Sequence, residues 1–392
     1  MAATPFDKRS ALAFVLAFGV VSLFADAAYE GMRGVSGSFL AGLGASGTAV
    51  GIIAGGGEFI GYLLRLVSGR WADSSRAYWP ITLSGYAVQM AAVPALALAA
   101  NWQAAACLIV LERAGKAIRN PPRDVMLSRA GSHIGQGWAF GLHEAMDQTG
   151  ACAGPLIAAL VLAHHGDYQD AFAWLGVPAV LTLVSVFTVR LRFAGAGHLP
   201  HHTQQESHAT LPPIFWIFAL AAALIAFGFA DYPLIAFHFA NVNSVPQSWI
   251  AIFYALAMGA AGAGSLVFGR WFDARGLIVV APGILIGATV APLVFFGGFW
   301  LALAGVLLWG VALGVQEAVM SAAIAAFVPE NRRARAYGLF SAIFGTAWFL
   351  GSALLGFLYD KSLTALVSVS VAASLAALIP LALAMRMPRP TG

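Results

Sequence analysis

Polar positions punctuate this chain sparsely, and the stretches between them are long and apolar. About twelve such blocks follow one another, near residues 11–31, 47–68, 79–99, 103–125, 137–163, 171–190, 213–239, 248–268, 277–297, 300–327, 336–358 and 363–385. Each is long enough to cross a bilayer as a helix of about 20 residues. A transmembrane barrel would instead need strands of about ten residues with alternating polarity. The pattern therefore predicts an all-α polytopic membrane protein of about 12 transmembrane helices. The longest polar interruption, GAGHLPHHTQQESHATLPP, divides the chain in the middle and is bounded by prolines, as a tether should be. It predicts an N-terminal six-helix bundle over 1–190, a linker over 191–212 and a C-terminal six-helix bundle over 213–392.

Composition agrees with the pattern. Of the 392 residues, 60% are hydrophobic and 10% are charged, whereas a soluble domain carries about 25% charged residues. Lys8 and Arg9 followed by an apolar stretch imitate a signal peptide, but eleven further spans make this an uncleaved first helix. Cys107 and Cys152 both fall inside predicted spans and make no disulfide framework.

The formal charge of +4 calls for no nucleic acid, because its placement has another cause. Lys and Arg gather before the first span and after the second, fourth, sixth, eighth, tenth and twelfth, while the alternate loops are nearly bare, Lys361 excepted. This is the positive-inside distribution. It predicts a multi-pass protein of the cell (inner) membrane with both termini and the linker in the cytoplasm.

The blocks also repeat. GRWAD at 69–73 returns as GRWFD at 269–273, each closing the second span of its half. AFGLHEAM from Ala139 returns as AYGLFSAI from Ala336, and each is followed at one offset by a glycine, Gly154 or Gly351. A weaker echo is FAD, at 24–26 and 229–231. Three echoes in one order indicate an internal duplication, a recognised transporter plan.

These motifs resemble the major facilitator superfamily over nearly the whole chain. Gly69, Arg70 and Asp73 resemble the family's loop motif after the second helix, and Gly269, Arg270 and Asp273 its copy after the eighth. Beyond Asp73 the first copy departs from the family, reading Ser-Ser-Arg-Ala where basic residues around a glycine are usual; Arg76 remains, and Gly276 supplies that glycine in the second copy. The resemblance implies that Asp73 belongs to a gate joining the halves. Gly150-Ala-Cys-Ala-Gly154-Pro155 resembles the motif associated with the family's antiporters, with Ala158 and Ala159 where two further glycines are common. Small residues let helices approach closely, and Pro155 frees a backbone carbonyl. Arg113 resembles a buried arginine that the family often has in its fourth helix.

Ionisable residues inside the spans carry the remaining signal. A charge at mid-membrane costs about 2.5–3.5 kcal/mol on insertion scales. The fourth span nevertheless holds Glu112, Arg113, Lys116, Arg119, Arg123 and Asp124. At 100° per residue Glu112, Lys116, Arg119 and Arg123 fall on one stripe. Arg119, Arg123 and Asp124 read as an electrostatic staple at the cytoplasmic end, and the deeper Glu112, Arg113 and Lys116 as functional. Further candidates for proton coupling and a central cavity are Asp26, Glu30, Glu58, His143, Glu144 and Asp147 in the first half, and Asp231 and Glu317 in the second. Asp147 is the first choice of partner for Arg113, with Glu112, Glu58 and Asp26 in reserve. The second half also contributes His238 and Gln316 and is otherwise apolar.

Other signals carry little. GLGASG at 42–47 fits a dinucleotide fingerprint but lacks the strand–turn–helix setting. His198, His201, His202 and His208 have no ligand spacing, and a tether explains them better than a metal. No Walker loop, HExxH or nucleophile elbow is present, so the expectation is a non-enzyme without cofactor or resident metal. The function expected is secondary active transport by alternating access, with a site between the halves: proton-coupled efflux of a small, partly apolar compound by a monomer in the lipid bilayer. Uptake or exchange of a small organic anion, and metal or metallophore export, stand as alternatives within that class. A non-transporting receptor or lipid-moving scaffold stands outside it.

Overall fold

The computed structural model describes residues 7–197, 211–328 and 333–387. Its elements are α1 Lys8–Gly42, α2 Gly47–Ser75, α3 Tyr78–Ala95, α4 Trp102–Ile134, α5 Gln136–Ala163, α6 Tyr168–Arg192, α7 Pro213–Gly228, α8 Tyr232–Val242, α9 Gln247–Arg275, α10 Val280–Phe296, α11 Phe299–Phe327, α12 Arg333–Lys361, α13 Leu363–Ala376 and α14 Leu378–Arg386, with short 3₁₀ turns at 96–98, 194–197 and 276–279. No strand occurs among the described residues. Among the described residues ten runs are apolar and long enough to cross a membrane, and one of them, Gln247–Phe296, contains both α9 and α10. Adding α4, whose charges disguise it, gives the twelve spans the sequence predicts. The linker histidines at 198, 201, 202 and 208 lie outside the described residues, as does the side chain of Asp73.

Two predicted spans differ in detail. The seventh is interrupted at Phe229–Asp231 and continues as α8, because Phe229 and Asp231 take extended backbone conformations. The fourth runs on past 125 to Ile134, carrying Pro121 and Pro122 within it, and stops where Gly135 adopts φ 104°. A positive φ of that kind favours glycine.

The chain forms two compact units. One holds the residues up to Gly44, those from Ile60 through α6, and Gln247–Ala255; the other holds Ala45–Phe59, α7 and α8 entire, and the described residues from Leu256 onward. The division therefore runs through α2 and α9 at matching places in the two repeats.

Within each unit, small residues set the spacing of the helices. In the first, α5 lies directly on α1. A Cβ on Gly150 would sit 2.2 Å from the Leu23 carbonyl oxygen, and one on Gly154 would sit 2.0 Å from that of Ala27. In the second, Gly351 of α12 faces α7 in the same manner, with the Phe227 carbonyl oxygen 2.1 Å from an added Cβ. The two glycines matched by the sequence repeat thus do one job in both copies: they bring the fifth helix of a half against the backbone of its first. Gly310 and Gly314 of α11 approach Ala257 and Ala261 of α9 as closely, at 2.1 Å each. Without a hydrophobic driving force between helices in lipid, such close backbone packing is a principal source of association.

Candidate functional site

The polar heart of the first unit forms where α3 and α4 meet. A Cβ on Gly85 would lie 2.8 Å from the Gly115 carbonyl oxygen, and one on Gly115 would lie 2.6 Å from Gln89 N. This approach threads Gln89 between two charges of α4 that are seven residues apart. Gln89 Nε2 donates to Glu112 Oε1 at 2.8 Å, and Arg119 Nε donates to Gln89 Oε1 at 2.6 Å. An amide suits this position because it offers a donor and an acceptor together. Arg119 also donates through Nη1 to the Tyr86 hydroxyl at 3.0 Å, and its guanidinium carbon lies 4.4 Å from the centre of the Tyr86 ring. Its Nη2 is 3.9 Å from Asp26 Oδ1 on α1. Gln89, Glu112 and Arg119 are each wholly buried.

The neighbouring charges extend the network. Arg113 Nε is 3.5 Å from Glu112 Oε2. Lys116 Nζ donates to the Tyr29 hydroxyl at 2.6 Å and sits 3.9 Å from the centre of the Tyr29 ring. Glu30 is 4.0 Å from Arg33 and accepts a short hydrogen bond from the hydroxyl of Tyr254, which lies in the α9 segment belonging to this unit. Gly34 accommodates the Tyr254 ring, whose Cδ1 would be 2.9 Å from an added Cβ.

A second cluster lies on α5. His143 Nε2 is 3.4 Å from Ser22 Oγ and 3.7 Å from Asp147 Oδ2. Glu144 Oε1 accepts from Gln148 at 3.0 Å, and the Glu144 side chain is exposed. Asp147 is also close enough to Arg123 and Arg119 for their charges to act on it. Asp147 Oδ1 and His143 Nδ1 are buried without a hydrogen-bond partner.

The network shifts the weight of the sequence reading. Arg119, assigned to the peripheral staple, is the most buried cation of α4 and the one that meets Asp26. Arg123 keeps the staple role, with Asp124 at 2.8 Å. For Arg113, a reserve choice, Glu112, lies within ion-pair range. Gln89, Tyr86, Tyr29 and Tyr254 were not singled out from the sequence. A glutamine in the middle of a 21-residue apolar block was the available signal for Gln89.

In the second unit the carboxylate of Asp231 stands at the interruption between α7 and α8. Trp348 Nε1 donates to its two oxygens at 2.9 and 3.0 Å, and Ser352 Oγ donates at 2.6 Å. The carbonyls freed by the interruption are also taken up: Ser370 Oγ donates to Gly228 O at 2.6 Å and Trp309 Nε1 to Ala230 O at 2.9 Å. Gln316 lines an apolar cavity with Ile225, Phe229, Ile284, Val315 and Met320. Its Nε2 donates to Ala312 O at 3.3 Å, and its Oε1 is buried without a partner. Glu317 is exposed, and Glu58 lies on the part of α2 that belongs to this unit.

The loop motifs end their helices by a shared device. Gly276 leaves α9 at φ 66°, and Arg76, at the same place in the first repeat, takes φ 55°. The departure from glycine in the first copy is therefore met by an arginine held in the left-handed region. Gly69 and Gly269 are not tightly packed: an added Cβ would find Pro121 at 3.6 Å in the first case and nothing within 4 Å in the second. No group of three or more His, Cys, Asp or Glu side chains able to hold a metal ion occurs among the described residues.

Twelve membrane-length helices, an internal repeat and paired charges buried in the spans define a membrane transporter. The family model described as Major Facilitator Superfamily matches residues 231–392. An uncharacterized protein of Mycobacterium tuberculosis is 37% identical over 387 residues, covering 97% of this chain and 94% of its own length. An uncharacterized MFS-type transporter of Methanocaldococcus jannaschii is 25% identical over 367 residues, 89% of each. Among solved structures, a mutant of the nucleoside transporter NupG superposes with a TM-score of 0.78 at 13% identity, covering 94% of this chain and 99% of that one. A mutant of the peptide transporter POT gives 0.76 at 14% identity, with 98% and 99% covered. The chain belongs to the major facilitator superfamily.

Proposed function

We propose that this transporter couples proton movement to the export of a small, partly apolar compound. The observation that carries the reading is the contact of Asp26 with Arg119. Asp26 is 6% exposed, lies 3.9 Å from the guanidinium, and is joined through Arg119 and Gln89 to Glu112. A buried carboxylate that shares an arginine is well placed to exchange a proton for an ion pair. When Asp26 is protonated, Arg119 loses that counter-charge and keeps Gln89 and Tyr86. When Asp26 is ionised, the pair reforms. His143 and Asp147, grouped with Ser22 one helical turn before Asp26, supply further titratable groups on the same side of α1. A substrate with apolar parts suits a second unit that offers an apolar cavity with a lone amide oxygen. Efflux is favoured by the Gly150–Pro155 motif. The reading also has both termini and the linker in the cytoplasm and the protein a monomer in the inner membrane.

Transport into inverted membrane vesicles, across a compound panel and with or without a pH gradient, tests it. The wild type accumulates a compound only when the vesicle interior is acidic. Asp26→Asn binds that compound yet loses the dependence on the gradient. Accumulation in Asp26→Asn with the wild-type pH dependence would falsify the coupling role and pass it to Glu112 or Asp147.

A further inference from the structure

Arg65 interrupts the apolar run GYLLRLVSG of α2. The membrane-length part of that helix is Gly47–Ala72, so Arg65 stands about 10 Å inside its nearer end at 1.5 Å per residue. Its side chain does not reach back to that end. Helical side chains lean toward the helix N-terminus, and the Arg65 guanidinium lies 5.5 Å from the centre of the ring of Tyr62, one turn earlier. The snorkelling that rescues long cations near span ends would need the opposite direction.

Nor does the residue face lipid. Gly61, Arg65 and Ser68 share one face of the helix, while Leu63, Leu66 and Val67 on the other are 43%, 40% and 62% exposed. Ser68 Oγ donates to Ala117 O at 2.9 Å, and Gly69 faces Pro121. The two contacts follow the same order along both helices. Therefore α2 and α4 lie side by side in one direction, and Arg65 stands level with the α4 turn that bears Arg113 and Lys116. All of these residues belong to the first unit.

The α4 cations of this unit are answered within the chain: Arg113 by Glu112, Lys116 by the Tyr29 hydroxyl, Arg119 by Asp26 and Gln89, Arg123 by Asp124. Arg65 is not. Among the described residues it makes no ion pair, and its Nε is buried without a hydrogen-bond partner. Beside it there is room. Gly61, one turn away on the same face, is buried, yet a Cβ there would meet nothing within 4 Å.

A buried guanidinium is costly until an anion completes it, and the chain supplies none at this point. We propose that Arg65 anchors an oxyanion carried by the transported compound: a carboxylate, phosphonate or sulfonate on an apolar body. This rests on the export reading above and gives its solute a charge. The Nε edge of the guanidinium fork takes two oxygens of such a group side by side. Arg113 and Lys116 at the same level add to the positive field, and the Tyr62 ring and the space at Gly61 receive the apolar part. A lipid phosphate offers the same chemistry, but the inward face of α2 is the wrong one for it.

The test is ligand binding by the full-length protein in phosphatidylcholine nanodiscs, read as the rise in melting temperature on titration. The probes are benzoate, hexanoate and phenylphosphonate, with benzamide and hexanamide as uncharged counterparts. The wild type is expected to bind at least one anion about ten- to a hundred-fold more tightly than the amides, the range of a charge-assisted hydrogen bond. Arg65→Met, similar in length and uncharged, loses that preference, while its melting temperature without ligand equals or exceeds that of the wild type. Arg65→Lys keeps the charge without the fork, retains part of the preference, and replaces Arg65→Met if the latter does not accumulate. Arg192→Met makes the same charge change at an exposed end of α6 and leaves the preference intact. Binding is read without a pH gradient and survives in Asp26→Asn, so failure of the proton-coupled export reading leaves this result standing. A wild type that binds the anions no better than the amides overturns the proposal, as does an Arg65→Met that keeps the preference. A wild type indifferent to the soluble anions, yet stabilised through Arg65 when phosphatidylglycerol is added to the nanodisc, also overturns it, because the oxyanion then belongs to a lipid.

Discussion

Gly154→Ala is the smallest change that tests how the first unit is assembled. The new methyl group would lie 2.0 Å from the Ala27 carbonyl oxygen and 2.8 Å from both the Ala27 carbonyl carbon and the Gly31 nitrogen. These are backbone atoms of α1, so no side chain can swing away. A carbon and a carbonyl oxygen ordinarily approach no closer than about 3.3 Å. Relief therefore requires α1 and α5 to part by about 1.3 Å, the difference between that limit and 2.0 Å. A gap of 0.5–1 Å already forfeits about a quarter to a half of each dispersion contact, and overpacking a filled core costs about 1–3 kcal/mol. Alanine returns about 1 kcal/mol through its better helix propensity. The balance is a loss of about 1 kcal/mol, with the spacing of α1 and α5 disturbed at Ala27, the residue next to Asp26. The assay is thermal unfolding of the purified protein in detergent, with Gly141→Ala as control. Nothing lies within 4 Å of a Cβ added at Gly141, so that variant should match or exceed the wild type. If Gly154→Ala melts with Gly141→Ala, the close approach of α1 and α5 has no energetic weight.

Three more outcomes follow from the geometry. Gln89→Leu strands Glu112 Oε1 and one donor of Arg119 in the interior; at about 1–3 kcal/mol per orphaned group, it should lower the melting temperature more than any single exposed substitution, which the same unfolding assay measures. Trp348→Phe removes the indole donor from Asp231 and should cost about 1–3 kcal/mol, whereas Trp216→Phe at a half-exposed ring should cost little; equal melting temperatures would contradict the assigned bond. Gly276 has φ 66° and ψ −147°, a region other residues enter at about 1–3 kcal/mol, so Gly276→Ala should destabilise while Arg76→Gly is tolerated.

Much of the fold was legible because a bilayer imposes a strict grammar on sequence. Span length, loop charge and the GRWAD and GRWFD echo each follow from one physical demand, and the structure has the twelve helices they imply. The glycines of the repeat were legible too, since a residue without a side chain at matched positions predicts matched close contacts. The candidate site was legible only as an inventory. Glu112, Arg119 and Asp26 stood out as charges in apolar blocks. Their grouping depends on Gly85 meeting Gly115, and no helical stripe on α4 alone reveals which residue of α3 lies opposite. For that reason Arg119 read as peripheral and Gln89 went unremarked.

The interruption at Phe229–Asp231 has a consequence for how the protein is made. Its open backbone and its carboxylate are satisfied by Trp309 of α11, Trp348 and Ser352 of α12, and Ser370 of α13. All of these are synthesised after α7 and α8. In hydrocarbon, each backbone group without a partner costs several kcal/mol. When the seventh span first leaves the ribosome, none of its partners exists. It must then wait in a wetter setting, near the insertion machinery or the bilayer surface, or stay provisionally bonded within itself. Its final seating belongs to the end of translation, about 140 residues later, as the interval from Asp231 to Ser370 shows.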